Sequence, residues 1–492
     1  MNRAATLARL DQNKQWDIVI IGGGATGLGS ALDAASRGYE TLLLEQYDFG
    51  KGTSSRSTKL VHGGVRYLAQ GNLKLVMEAL RERSYLLKNA PHLTSTLPFV
   101  VPVFRWSDKF YYAAGLKLYD LMSGKRSLGK TSILNKKQTL QHLPGIRGQG
   151  LKGGILYYDG QFDDSKLAID LAITAAKFGG AILNYCKVTA LQKSKNKLST
   201  LTIEDTLEKR TYEIKTRSVI NATGVFTDTI LRMDEPEEDN LVMPSQGIHL
   251  VVDRKFFPGN NALMIPRTED GRVLFAVPWH DKVVIGTTDT PINIISIEPH
   301  ALEEEIEFIL LHTNKYFQAV ISRKDITSVF AGLRPLVRQR GAKNTSLLSR
   351  DHTILVSKSG LVTITGGKWT TYRKMAEDAV DNAVFVSKLP KKECRTRNLP
   401  IGEPGLYTGN ILGDSFHLSR EDIRRFVEQE MAVNVEDILA RRTRLLFLDA
   451  KSAVSMAPFV AREMAAILDK PPDWEAEQLD LFTQLAEPYS VH

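Results

Sequence analysis

The pattern of apolar and polar positions is most regular near the start of the chain. Residues Asp17–Ile21 (DIVII) form an apolar run bounded by glycine, which predicts a strand buried on both faces of a parallel sheet. An alanine-rich helical stretch follows and ends at Gly38, and a second buried strand, Thr41–Leu44, ends at Glu45. This βαβ unit of about 30 residues, with short connections, is typical of a doubly wound α/β fold.

The pattern changes further along the chain. Long helices are expected at Leu73–Asn89 and Ser165–Phe178, whereas short strands and turns over Pro244–Thr288 predict an antiparallel sheet. Beyond Pro390 the periodicity is helical, and Ser419–Asp422 resembles a capping box. The predicted fold class is α/β, with a doubly wound Rossmann-like domain, an antiparallel-sheet domain and a C-terminal helical domain.

The turn after the first strand carries a dinucleotide-binding pattern. Gly22, Gly24 and Gly27 match G-x-G-x-x-G between a strand and a helix. Such glycines allow a tight turn and a close approach of pyrophosphate to the helix N-terminus. Glu45 lies about 20 residues further on, where a carboxylate accepts hydrogen bonds from the adenosine ribose. A carboxylate there disfavours NADP but leaves both NAD and FAD open.

Three later features favour FAD. Ala31 and Gly38 extend the glycine pattern into the helix, Asn221–Gly224 (NATG) follows an apolar strand, and Thr365–Lys368 (TGGK) precedes a helix. In this order they resemble the flavin-binding motifs of the two-domain FAD-dependent oxidoreductases of the D-amino-acid oxidase superfamily. Helix N-terminal amides directed at the flavin pyrimidine edge would stabilise negative charge there.

A longer stretch, Thr53–Leu68 (TSSRSTKLVHGGVRYL), resembles the signature of the FAD-dependent glycerol-3-phosphate dehydrogenase family. The resemblance extends from Asp17 to about Leu468 and includes the motifs at 332–335 (GLRP), 349–351 (SRD), 366–373 (GGKWTTYR) and 435–444 (VEDILARRTR). It departs in the first fifteen residues, at Val225-Phe226 and in the basic spacer Arg338–Lys343. It implies oxidation of sn-glycerol 3-phosphate to dihydroxyacetone phosphate by hydride transfer to FAD, with electrons passed to a membrane quinone.

The resemblance also implies a domain order in which segments alternate. We expect the FAD-binding domain at 1–95, 156–240 and 353–388, the substrate domain at 96–155 and 241–352, and the helical domain at 389–492. The implied cofactor-binding residues are Gly22, Gly24, Ala25, Thr26, Gly27, Glu45, Thr53, Ser54, Ser55, Ser57, Lys59, His62, Gly63, Val188, Ala222, Gly224, Gly367, Lys368 and Thr370.

Composition adds a question of charge. The 492 residues include 64 Lys+Arg against 56 Asp+Glu, a formal net charge of +8. That excess indicates an anionic partner, which could be nucleic acid, an acidic membrane surface or a phosphorylated small molecule. The two cysteines lack metal-ligand spacing and fit a reduced compartment, and we expect no metal site.

Three cationic residues in the second half of the chain predict a site that binds a phosphate group. Arg334 lies in a glycine- and proline-containing turn after an apolar segment, Arg350 precedes a predicted strand, and Lys368 lies in the third flavin motif. Arginine forks and lysine charges are the natural ligands of a phosphate monoester. We expect Arg66 and Tyr67, in the motif that resembles the family signature, to serve the same pocket, although Tyr67 could equally pack in the core.

Oxidation of an alcohol also needs a group that accepts the hydroxyl proton. His249 lies on the predicted substrate-domain sheet, and imidazole titrates in the useful range. With Arg334 and Lys368 it forms the predicted catalytic set, although a histidine in a strand is more often structural. Thr287 and Thr288 could bind substrate or serve only the strand.

The segment Arg105–Lys130 interleaves aromatic and aliphatic residues with lysines and arginines. This pattern is typical of a helix that lies in a membrane interface, although an ordinary packed helix would also produce it. No run of about 18 apolar residues is present. We expect a peripheral homodimer on the cytoplasmic face of the inner (cell) membrane, and no binding of nucleic acid.

Two other functions stay open from the sequence. An enzyme of the same fold could use dioxygen and release hydrogen peroxide, or could oxidise amines or amino acids. Alternatively, the chain could be a non-catalytic flavoprotein or a basic binding module that keeps the glycine motifs.

Overall fold

The computed structural model describes residues 1–12, 15–64, 68, 71–237, 239–266, 268, 271–338, 351–403 and 416–491. Its strands, numbered in chain order, are β1 (Trp16–Ile21), β2 (Thr41–Leu44), β3 (Leu60–Val61), β4 (Thr94–Val103), β5 (Ser132–Leu134), β6 (Gly153–Phe162), β7 (Ala181–Leu183), β8 (Cys186–Ser194), β9 (Lys197–Asp205), β10 (Arg210–Asn221), β11 (Val242–Asp253), β12 (Ala262–Ile265), β13 (Leu274–Trp279), β14 (Lys282–Gly286), β15 (Thr290–Pro291), β16 (Ile326–Val337), β17 (His352–Val356) and β18 (Leu361–Gly366).

The α-helices of the described residues are numbered in the same way. They are α1 (Arg3–Gln12), α2 (Ala25–Ser36), α3 (Leu73–Asn89), α4 (Trp106–Ser123), α5 (Lys136–His142), α6 (Asp164–Lys177), α7 (Thr227–Asp234), α8 (Glu303–Tyr316), α9 (Tyr372–Ser387), α10 (Arg420–Glu430), α11 (Leu445–Leu448), α12 (Ala450–Leu468) and α13 (Pro472–Ala486).

The first sheet has the order β17-β18-β10-β1-β2-β7, and all of these neighbours are parallel except β17 and β18. Alternate residues of β1 face opposite layers, because successive side chains of a strand point to opposite faces. Ile18 and Ile20 lie in the core with α2, α6 and α9, whereas Val19 and Ile21 lie in the core with α1, α7 and the β8–β9 hairpin. The predicted doubly wound domain is therefore confirmed.

The second sheet is mostly antiparallel and has the order β15-β11-β14-β13-β12-β4-β6-β3. β11 also pairs with β16 along most of its length, in a register that sets Ser245 opposite Arg334 and His249 opposite Phe330. β6 pairs with β4 from Gly153 to Phe162, so this strand continues beyond the boundary expected at residue 155.

The C-terminal helices form a third layer. Ile423 and Phe426 of α10 share a core with α11, α12 and α13, and this core also takes in Trp279 and Phe330 from the second sheet. The predicted capping box is present, since Ser419 Oγ accepts from Asp422 N at 3.1 Å and Asp422 Oδ2 accepts from Ser419 N at 3.2 Å. Among the described residues, no helix is long and apolar enough to cross a membrane.

Candidate active site

A cleft of about 380 Å³ opens where the carboxyl ends of β1, β2, β10 and β18 meet. Ligands of open α/β sheets bind at this edge. Many of the residues predicted to bind a cofactor line the cleft: Gly22, Gly24, Ala25, Thr26, Glu45, Thr53, Ser54, Val188, Ala222, Gly224, Gly367 and Lys368.

The glycine turn at the cleft floor leaves no room for side chains. Gly22 has φ +110°, and a Cβ on it would lie 2.6 Å from the carbonyl oxygen of Ala222. A Cβ on Gly27, one turn into α2, would lie 1.8 Å from the carbonyl oxygen of Gly22. The turn therefore presses against both its own helix and β10, and it presents the N-terminus of α2 to the cleft.

Glu45 organises the backbone at the end of β2. Its partly buried carboxylate accepts hydrogen bonds from Gly23 N at 2.6 Å and from Tyr47 N at 2.8 Å. Burial raises the pKa of this carboxyl group above its usual value. Because each carboxylate oxygen accepts more than one hydrogen bond, a ribose hydroxyl can still donate to Glu45.

Residues 53–59 fall into two groups according to their contacts. Thr53 and Ser54 line the cleft, and Ser54 Oγ accepts from Ala25 N at 2.9 Å. Ser57 Oγ instead donates to Asp164 Oδ2 at 2.7 Å, and Lys59 Nζ donates to both oxygens of Asp164 at 2.8 Å. Ser57 and Lys59, predicted to bind cofactor, are thus engaged in a buried cluster around a carboxylate.

The remaining predicted cofactor residues brace this segment. Ser55 is buried, and its carbonyl oxygen accepts from Lys59 Nζ at 2.8 Å. His62 N donates to Thr370 Oγ1 at 3.2 Å, which ties β3 to the third motif. A Cβ on Gly63 would lie 2.2 Å from the Tyr119 hydroxyl oxygen, so this glycine serves a close packing contact.

His249 lies on β11 and is buried against two neighbours. Its Nε2 lies 2.8 Å from Thr58 Oγ1, and its ring stacks on Phe330 with centroids 4.9 Å apart. Burial, together with the charges of Arg334 and Lys59, holds the pKa of His249 well below its usual value. The imidazole is therefore neutral at pH 7 and able to accept a proton.

Arg334 lies across Gly247 on the same face of the sheet. Its guanidinium donates to Thr287 Oγ1 at 3.0 Å, to the carbonyl of Thr288 at 2.9 Å and to Asp289 Oδ1 at 3.2 Å. A Cβ on Gly247 would lie 2.1 Å from Arg334 Nη2, so only glycine leaves space for this placement.

The strand that carries Arg334 adjoins the cleft. Pro335 lines the cleft beside Lys368, and the Thr53 hydroxyl donates to the Leu333 carbonyl at 2.5 Å. Lys368 therefore lines the cleft, and Arg334 lies one residue before the lining residue Pro335. Arg66, Tyr67 and Arg350, the other predicted phosphate ligands, lie outside the described residues.

Thr58 and Asp289 are functional candidates that the sequence alone missed. Thr58 falls in a serine- and threonine-rich loop, and Asp289 is an ordinary strand-end acid. Their contacts with His249 and Arg334 depend on pairings between distant segments, and no local motif signals them.

Among the described residues, Glu78, Asp351 and His352 place possible metal-ligand atoms within 4.8 Å of one another. His352 Nε2 already lies 3.0 Å from Asp378 Oδ2, so this ring nitrogen is engaged in a hydrogen bond. No reaction step is assigned to the group.

Comparisons with known proteins identify the family of the chain. A sequence profile for FAD dependent oxidoreductases matches residues 17–373, and one for the C-terminal domain of alpha-glycerophosphate oxidase matches residues 394–478. The mitochondrial glycerol-3-phosphate dehydrogenase of Mesocricetus auratus is 38% identical over 95% of this chain and 72% of the relative.

Solved structures show the same architecture. The glycerol-3-phosphate dehydrogenase of Bacillus halodurans complexed with FAD has a TM-score of 0.81 at 29% identity, covering 99% of this chain and 97% of that chain. The L-alpha-glycerophosphate oxidase of Mycoplasma pneumoniae with FAD bound has a TM-score of 0.62 at 17% identity, covering 80% and 100%, and shares the fold.

The cofactor of this chain is FAD, and the cleft fits it. The glycine turn lets a pyrophosphate approach the backbone, because a Cβ at Gly22 or Gly27 would collide with main-chain atoms. Glu45 at the end of β2 is positioned for a ribose, and Gly367 and Lys368 line the opposite part of the same cleft.

We expect Gly27→Ala to lower FAD affinity by about tenfold or more, because the added methyl group displaces the turn from α2. The measurement is titration of apo-protein with FAD, followed by flavin fluorescence. The matched control is Gly115→Ala in α4, where a Cβ has nothing within 4 Å. Wild-type FAD affinity in Gly27→Ala would contradict this account of the turn.

Proposed function

Because this chain belongs to the FAD-dependent oxidoreductases and, within them, to the glycerol-3-phosphate dehydrogenase family, we propose that it oxidises sn-glycerol 3-phosphate to dihydroxyacetone phosphate and passes the electrons to a membrane quinone. The observation that carries the proposal is the placement of Arg334 and His249 on one face of the second sheet, where Pro335, the residue after Arg334, lines the cleft. Bound FAD supplies the acceptor for the hydride that leaves C2 of the substrate.

Cationic side chains are the proposed ligands of the substrate phosphate. The Arg334 guanidinium has the fork geometry that suits two phosphate oxygens, and Lys368, which lines the cleft, adds a point charge. Arg66, Tyr67 and Arg350 complete the proposed phosphate site. Thr287, which accepts from Arg334, keeps the guanidinium in place before substrate arrives.

His249 is the proposed base for the C2 hydroxyl proton. Its depressed pKa keeps a ring nitrogen unprotonated, and the Thr58 hydroxyl and the Phe330 ring hold the imidazole in one orientation. Removal of the proton as the hydride leaves produces the ketone of dihydroxyacetone phosphate.

Dioxygen is the alternative electron acceptor, in which case the chain would be a glycerol-3-phosphate oxidase. It is favoured by the match of residues 394–478 to a domain of alpha-glycerophosphate oxidase. Turnover with a soluble quinone under argon, compared with peroxide release in air, distinguishes the two acceptors.

A homodimer stays a prediction, and the molecular mass of the protein in solution is the measurement that checks it.

Anaerobic glycerol 3-phosphate should bleach the flavin absorbance of the wild-type protein, whereas glycerol should not. We expect Arg334→Lys to raise KM for glycerol 3-phosphate by about tenfold or more, because lysine keeps the charge but loses the fork. The control is Arg254→Lys, since Arg254 directly follows β11 at the end far from Ser245. Failure of glycerol 3-phosphate to bleach the wild-type flavin would overturn the proposed function.

We expect His249→Gln to lower kcat by about 10²-fold or more, because the proton acceptor is lost. In the wild type the lowered pKa of His249 means that activity is retained at pH 7 and falls only at a pH well below the usual pKa of imidazole. The kcat/KM profiles of both enzymes are measured with glycerol 3-phosphate, whose own ionisation affects them equally. An identical acid limb in His249→Gln would assign the limb to another group.

We also propose that α4 contacts an anionic membrane surface. Its Phe110 is 74% exposed, Tyr111 66% and Leu121 77%, although these side chains are apolar or aromatic. Lys109 and Lys117 lie on the same helix, where they can face anionic headgroups.

We expect the double change Phe110→Ser and Leu121→Ser to weaken binding to phosphatidylglycerol-containing vesicles by about tenfold or more, because apolar burial in the interface is lost. Cosedimentation measures the binding, with phosphatidylcholine vesicles as the uncharged comparison. The control is Phe385→Ser on α9, where the side chain is 82% exposed. Equal loss in the control would show that α4 has no special role.

A further inference from the structure

The loop that follows β2, residues 45–52, has one side on the cleft and another against the C-terminal domain. Glu45, Tyr47, Gly50 and Lys51 line the cleft. Asp48 is fully buried and faces away from these groups toward two arginines of the C-terminal domain. We call these residues the β2 loop.

Arg441 and Arg442 lie in a π-helical turn, Asp437–Arg442, and both are buried. Arg441 Nε donates to Asp48 Oδ2 at 2.5 Å, and Arg442 Nη2 donates to Asp48 Oδ1 at 2.9 Å. Burial alone would raise the pKa of Asp48, but the charges of Arg442 and Arg441 outweigh it and lower the pKa. Asp48 is therefore a carboxylate held by two guanidinium groups.

Two further contacts join the same turn to the cleft wall. Glu436 Oε1 accepts from Arg441 Nη1 at 2.6 Å, while its Oε2 accepts from Lys51 Nζ at 2.7 Å. Asp437 Oδ1 accepts from Arg441 Nη2 at 2.7 Å and from the Tyr185 hydroxyl at 2.7 Å. Arg441 thus bridges three carboxylates.

Tyr185 extends these contacts to the next part of the cleft. Its backbone N–H donates to the Tyr47 carbonyl at 3.0 Å, and the following residue, Cys186, lines the cleft together with Val188. The C-terminal turn therefore contacts both chain segments that form this end of the cleft, the β2 loop and the start of β8.

We expect this buried ion-pair network to fix the positions of the residues that it joins rather than to add much to the free energy of unfolding. Removing water from buried charges offsets much of their attraction, whereas removing one partner leaves an uncompensated charge. On the cofactor domain both arginines bind one carboxylate, Asp48, in the β2 loop that lines the cleft.

We propose that the C-terminal domain retains the cofactor: Arg441 and Arg442 hold Asp48, and with Glu436 on Lys51 they keep the β2 loop closed against bound FAD. They are positioning residues, since they act through the loop. The proposal depends on the FAD cofactor but not on the substrate or the electron acceptor, so its failure and that of the proposed function are independent.

The test compares Arg441→Lys and Glu436→Gln with the wild type. We expect both to raise the dissociation constant for FAD, measured by titrating apo-protein, by about tenfold for Arg441→Lys, because lysine cannot bridge three carboxylates. Saturating FAD should return kcat and KM for glycerol 3-phosphate to wild-type values. Circular dichroism and the thermal midpoint of the apo-proteins report folding.

The matched control is Arg37→Lys. Arg37 is also buried and pairs with Asp33 and Asp381, but it lies at the C-terminal end of α2, away from the cleft. We expect it to lower the apo-protein midpoint without changing FAD affinity. Unchanged FAD affinity in both Arg441→Lys and Glu436→Gln, or an equal loss in Arg37→Lys, would overturn the proposal. If Arg441→Lys does not fold, Glu436→Gln alone decides.

Discussion

The close contact between the glycine turn, α2 and β10 is the constraint on which the site depends. Because a Cβ at Gly27 would lie 1.8 Å from the Gly22 carbonyl oxygen, the turn exists only where these side chains are missing. The parallel register of β1 with β2 and β10 then brings Leu44 and Asn221 level with Ile21. That arrangement places the cleft, the N-terminus of α2 and Glu45 at the same edge of the first sheet.

In the proposed site, the first sheet forms the cleft and the second sheet carries His249 and Arg334. Antiparallel pairing of β11 and β16 puts His249 and Arg334 on one face, and Gly247 leaves the space in which the guanidinium lies. Phe330, whose ring stacks on His249, also packs with the C-terminal helices, so the third layer supports the strand pair that carries the proposed base. Each of the three layers thus contributes to one small region.

Local patterns predicted the elements well because they depend on neighbouring residues. The helix Leu73–Asn89 has the expected bounds, and the Ser419 capping box forms as its spacing indicates. Contacts between distant segments lie beyond such reasoning. The cofactor contact of Lys59 stays a prediction, whereas its ammonium group pairs with Asp164, more than one hundred residues away, because a buried charge needs an opposite charge beside it.

The sequence by itself determined the dinucleotide turn and the order of the flavin motifs, since glycine spacing and strand periodicity are local, whereas the base and the phosphate ligands stay predictions. Only the tertiary structure decided that Thr58 contacts His249, that Asp289 contacts Arg334, and that Arg441 and Arg442 contact Asp48. Those contacts join segments far apart in the chain. Burial selects them, because a charged or polar group removed from water must find a partner, whichever segment supplies it.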